Sequence, residues 1–126
     1  MKKIRLFKPW VGKEELTAIK KVFDKSWIGY GPQVHKFENK FANFIGTKYA
    51  VAVNSGTAAL HLSLLCNNFP KNKKVLVPSI TFSATAASAL YCGLIPKFVD
   101  IREEDLTKNF NDLKKKYTSD CVALIC

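Results

Sequence analysis

From residue 48 onward the chain alternates short apolar runs with helix-forming stretches, and this rhythm constrains the fold more than any other feature. Residues 49–53 read as a strand, followed by Asn54-Ser55-Gly56-Thr57 and a helix from Ala58 to about Cys66. Residues 75–77 form a second strand, Pro78-Ser79 a turn, and residues 82–91 an alanine-rich helix. Residues 94–99 read as a third strand despite Pro96, which suits an edge or a strand start because proline has no N–H for the ladder. An acidic loop at 100–105, a short helix at 110–116 and a last apolar run at 121–126 complete the alternation. Strands alternating with helices imply an α/β fold, a mainly parallel sheet flanked by helices.

The first 47 residues follow another pattern and read as a helical approach segment, leaving 48–126 as the α/β domain. Leu16, Ile19 and Phe23 repeat with helical period, with Glu14 and Glu15 early and Lys20, Lys21 and Lys25 late, the charge order a helix dipole favours. Trp27-Ile28-Gly29-Tyr30-Gly31-Pro32 breaks that helix. Pro32 opens the next, along which Val34, Phe37, Phe41 and Phe44 recur, and Gly46 closes it. The chain stops on an apolar strand, so the fold is expected to be a truncated one.

A length of 126 residues suits one ordinary domain, and 48% apolar residues suffice for a core, which excludes wholesale disorder. No run reaches the roughly 18 apolar residues of a membrane-spanning helix. The basic start lacks the apolar stretch of a signal peptide, so a cytoplasmic location is expected. A net charge of +10 favours anionic partners, from nucleic acid to phosphorylated small molecules. Cys66, Cys92, Cys121 and Cys126 have no metal-ligand or disulfide-framework spacing, and His35 and His61 are isolated. Buried free thiols and no metal site are the expectation.

Two polar turns can carry chemistry. Val53-Asn54-Ser55-Gly56-Thr57-Ala58-Ala59-Leu60 places a glycine and two hydroxyls at a helix start, where free N–H groups and the dipole make an anion seat. A plain cap by Ser55 or Thr57 is the simpler local account. It is neither a P-loop nor a GxGxxG turn. Val77-Pro78-Ser79-Ile80-Thr81-Phe82-Ser83-Ala84-Thr85 sets Phe82 just past a strand end, where a flat ligand could stack with hydroxyls from Ser79, Thr81 and Ser83 at its rim. The alternative is a core phenylalanine.

These stretches, with Trp27-Ile28-Gly29-Tyr30-Gly31-Pro32, Phe37-Glu38 and Phe98-Val99-Asp100-Ile101, occur in the order and approximate spacing of one family. The chain resembles the N-terminal part of the DegT/DnrJ/EryC1/StrS sugar aminotransferases, enzymes of fold type I that depend on pyridoxal 5'-phosphate (PLP). The resemblance covers nearly the whole chain. It implies that Gly56, Thr57 and Ala58 hold the cofactor phosphate, that Phe82 stacks on the pyridine ring, and that 48–126 is an incomplete cofactor-binding domain. It places Gly29 and Tyr30 near the nucleotide-sugar substrate and the partner subunit of a homodimer.

The reaction so implied moves an amino group, with glutamate as donor, to a keto-sugar nucleotide; some members dehydrate instead. In the family the Schiff-base lysine lies beyond the matched region, and none of the 18 lysines here occupies its context. Lys97 and Lys108 are surface candidates only. No catalytic residue is therefore assigned, and the chain is expected to be an inactive N-terminal fragment. Two alternatives are a non-catalytic remnant and a basic nucleic-acid-binding module. Against the latter, only Arg5 and Arg102 supply guanidinium and no helix-turn-helix or RNP pattern appears; neither nucleic acid nor membrane is expected as a partner.

Overall fold

Glycine and proline fix the helix ends in the first part of the chain. The computed structural model describes residues 7–126, and the basic start at 1–6 lies outside them. Helix α1 spans Lys13–Asp24, with Glu14 and Glu15 in its first turn and Lys21 in its last. Glu15 folds back so that its carboxylate accepts from the Gly12 N–H at 2.6 Å, satisfying a donor the helix start leaves open. Helix α2, Pro32–Ile45, begins on proline and ends at Gly46, whose φ of 79° is left-handed and whose N–H donates to the Ala42 carbonyl. Both ends are those the sequence indicates. The buried residues of α2 are Glu38 and Ala42, while Phe37, Phe41 and Phe44 face solvent.

The chain divides into two compact units, Met1–Ala52 and Val53–Cys126. The second contains α3 (Gly56–Leu65), β1 (Lys74–Pro78), α4 (Ser83–Tyr91), β2 (Ile95–Val99), α5 (Phe110–Lys116) and β3 (Cys121–Leu124). Its three strands are ordered β2-β1-β3, and both pairings are parallel. β1 and β2 run in unbroken register from Lys74↔Ile95 to Pro78↔Val99, and the ladder to β3 shifts between Lys74 and Val75. Pro96 sits in an edge strand, as its missing N–H requires.

β1 is central, and Val75, Leu76 and Val77 are all buried, which is why it reads as a continuous apolar run. Leu64 from α3, Ala89 from α4 and Leu94 join Val75 and Val77 in one cluster, with Phe69, Val122, Ala123 and Ile125 packed against it. Full burial of such a side chain stabilises by about 1.5–3 kcal/mol. α4 packs on β1, β2 and α3, and α5 packs on β2.

Two expectations fail. Residues 49–53 form no strand, because a strand is defined by a ladder and this segment has none; the Ala52 N–H is instead taken by the Glu38 carboxylate at 2.8 Å. Nor are the four free thiols buried. Cys66 and Cys126 are exposed, and Cys92 and Cys121 are half-buried. Cys66 caps the end of α3, outside the face that Leu64 turns to the core.

Candidate functional site

Ser55 starts α3 two residues earlier than the sequence suggests, because its side chain caps the helix: Oγ accepts from the Ala58 N–H at 3.1 Å. The plain cap is therefore real, and it leaves the other N–H groups of the turn to be accounted for. Gly56 and Thr57, the first two helical residues, have N–H groups that no acceptor among the described residues engages. A Cβ built on Gly56 would meet nothing within 4 Å, so the backbone is open on that side. The first turn of α3 carries no acidic side chain, unlike that of α1, so the positive end of its dipole is not neutralised from within.

Phe82 is the N-cap residue of α4, a position that favours Ser, Thr, Asp or Asn, and it makes no side-chain capping bond. Its side chain is 76% exposed, which disposes of the core-phenylalanine alternative. Phe82 therefore meets neither the capping nor the burial preference of its position. Ser79, Thr81 and Ser83 are exposed around it, and Thr81 shares a 2.9 Å hydrogen bond with the buried Thr85. Thr85 is further tied to Ser88, whose hydroxyl donates to its carbonyl at 3.0 Å. The base of the turn that carries Phe82 is thus held by hydroxyls while the ring stands clear.

Gly29 and Tyr30 belong to the other unit and gather around different partners. The Trp27 indole N–H donates to the Tyr30 carbonyl at 3.1 Å, and a Cβ at Gly31 would collide with that indole, so only glycine fits there. A mainly apolar cleft of about 260 Å³ lies beside the loop, lined by Trp27, Ile28, Gly29, Pro32 and Val34. The Tyr30 hydroxyl donates to Glu38 Oε2 at 2.9 Å, and its ring meets His35 edge-on with centroids 4.8 Å apart. The bond to Glu38 pushes the Tyr30 phenol up, while the Ala52 N–H and then the Tyr30 hydroxyl hold the Glu38 carboxyl low. Sequence reasoning matched Glu38 to a motif without giving it a role. The available signal was a lone carboxylate on the same helical face as Ala42, four residues on.

The sequence pattern of the DegT/DnrJ/EryC1/StrS aminotransferase family matches residues 9–126. The chain belongs to that family. It is 42% identical over 98 residues to the spore coat polysaccharide biosynthesis protein SpsC of Bacillus subtilis (strain 168), covering 78% of this chain and 25% of that protein. It is 35% identical to the GDP-perosamine synthase of Escherichia coli O157:H7, over 100% of this chain and 35% of that one. Among solved structures, E. coli GDP-4-keto-6-deoxy-D-mannose-3-dehydratase with bound hydrated PLP superposes with a TM-score of 0.86 at 30% identity, across 94% of this chain and 32% of its own. The chain thus spans about a quarter to a third of the length of these DegT-family relatives. Its α/β architecture with a parallel sheet is that of the family's PLP-dependent enzymes.

Proposed function

We propose that this chain carries the PLP phosphate seat and ring platform of an enzyme that transfers an amino group from glutamate to a keto-sugar nucleotide. The observation that supports it most is the α3 turn, with two open N–H groups, open space where a Gly56 Cβ would stand and no acidic residue to neutralise the helix end. These features fit a dianionic phosphate. In this reading the Gly56 and Thr57 N–H groups and the Thr57 hydroxyl receive its oxygens, while Ala58, whose N–H stays on Ser55, shapes the turn. Phe82 offers its exposed ring to the face of the pyridine. When bound, PLP supplies an electron sink beside the amino-bearing carbon. Gly29 and Tyr30 contact the nucleotide sugar.

The residues that exchange protons with the substrate are not assigned to this chain, which acts as the N-terminal portion of a longer cytoplasmic homodimer. The match to a dehydratase supports a second outcome, loss of a sugar hydroxyl in place of amino transfer, from the same seat. Equilibrium dialysis of the chain against PLP tests the seat. Gly56→Val, which projects side-chain carbons into the cleared space, is expected to weaken retention about tenfold or more, an effect of roughly 1.4 kcal/mol. Unchanged PLP retention, with the helical content intact by circular dichroism, overturns the assignment.

A further inference from the structure

Glu38 is the one ionisable side chain buried among the described residues, with 8% of its surface exposed. A carboxylate in that position is costly unless both oxygens are paired. Both are: Oε1 accepts from the Ala52 N–H at 2.8 Å and Oε2 from the Tyr30 hydroxyl at 2.9 Å. No Lys or Arg lies within ion-pair distance among the described residues; the nearest cationic candidate, His35 Nδ1, stands 3.5 Å from Oε2. Two donors from separate segments converge on one side chain, and only an acceptor with two oxygens satisfies both. An amide in its place would turn an NH₂ group toward one of them.

The contact has a chemical consequence for Tyr30. Its hydroxyl proton is committed to Glu38, and Tyr30 as a whole is 59% exposed. Among the described residues the one other polar partner of that oxygen is His35 Nδ1, 3.5 Å away, at the outer limit of a hydrogen bond. What the phenol can offer a ligand is a lone pair. We propose that Glu38 is a positioning residue that holds Tyr30 as a hydrogen-bond acceptor, so that the ligand group meeting Tyr30 is a donor, a sugar hydroxyl rather than a phosphate or keto oxygen. The inference rests on the reading that Gly29 and Tyr30 touch the nucleotide sugar.

Two measurements separate the inference from that reading. In the ligand-free chain, the ultraviolet titration of Tyr30, isolated by difference against Tyr30→Phe, is expected to fall back toward the ordinary phenol range in Glu38→Gln, and amide exchange at Ala52 to accelerate in Glu38→Ala. An unmoved Tyr30 titration overturns the role of Glu38, whatever the ligand. Binding is then compared for GDP-mannose, dTDP-glucose and the bare nucleotides GDP and dTDP. Tyr30→Phe, which leaves the Glu38–Ala52 bond in place, and Glu38→Gln are each expected to weaken a nucleotide sugar about three- to tenfold, the value of one hydrogen bond, and to leave the bare nucleotide unchanged. Equal weakening of sugar and bare nucleotide overturns the donor-hydroxyl assignment. If neither variant alters any binding while the titration still moves, the substrate reading fails and the Glu38–Tyr30 pairing stands.

Discussion

In the unit Val53–Cys126 the residues removed from water include Leu64, Val75, Val77, Ala89 and Leu94, whereas in Met1–Ala52 they include Ala42 and a carboxylate, Glu38. The first unit has no shortage of apolar side chains: Trp27, Phe37, Phe41 and Phe44 are all more exposed than buried or nearly so. It orders its loop by directional bonds to Glu38 instead of by area. The two modes fail differently. An apolar cluster responds to lost volume, while a polar hub responds to a changed donor or acceptor of nearly the same size.

The largest effect is expected at Leu94, which is 2% exposed within the cluster. Leu94→Ala is expected to destabilise the fold by about 2–5 kcal/mol, read by urea denaturation. Phe44→Ala, at a side chain 86% exposed, is expected to stay within about 0.5 kcal/mol. Comparable losses from the two would erase the contrast.

Ser55 is the place where the second unit, too, depends on a directional bond. Removing the cap in Ser55→Ala is expected to cost about 0.5–2 kcal/mol. Thermal melting checks it, and a null result would make the α3 start independent of its cap. Phe82→Ala separates fold from ligand more cleanly, since the ring is exposed. The melting curve is expected to stay put while PLP retention in dialysis falls by about 0.5–1.5 kcal/mol, the value of lost aromatic stacking.

The smallest effect is electrostatic. Lys74 Nζ lies 2.8 Å from Asp120, and that bond, with the Thr118 hydroxyl, lowers the Asp120 carboxyl from 3.8 to about 2. The folded form therefore releases its proton more readily than the unfolded chain. The resulting stabilisation is complete above pH 3.8 and is lost as the pH falls through about 2. Both side chains are partly exposed, so solvent screens the pair. Acid unfolding of Asp120→Asn is expected to be slightly less steep in that window, and an identical slope would show the bridge to be energetically silent.

The α2 boundaries were legible because Pro32 and Gly46 act through their own backbones, and β1 because a central parallel strand must be apolar throughout. Pro96 likewise announced an edge strand. Residues 49–53 misled, since composition reports the tendency to extend but not the presence of a partner for the ladder. The turn at Ser55-Gly56-Thr57 could be located, although its two open amides depend on which donor the cap takes. Glu38 was hidden for a different reason. The donors that make its burial tolerable come from Tyr30 and Ala52, residues brought to it only by the fold.

Pro96 sets one rim of the sheet apart from the other. Ile95 donates inward to the Lys73 carbonyl, so in the parallel alternation the next residue, Pro96, turns its nitrogen to the outer rim of β2. That rim offers an incoming strand a gap where a donor should be, and strands are poorly recruited to such a margin. The opposite rim, along β3 from Cys121 to Leu124, contains no proline. The two rims of the sheet are therefore unequal: the β2 rim lacks one ladder donor at Pro96, while every residue of β3 retains its N–H.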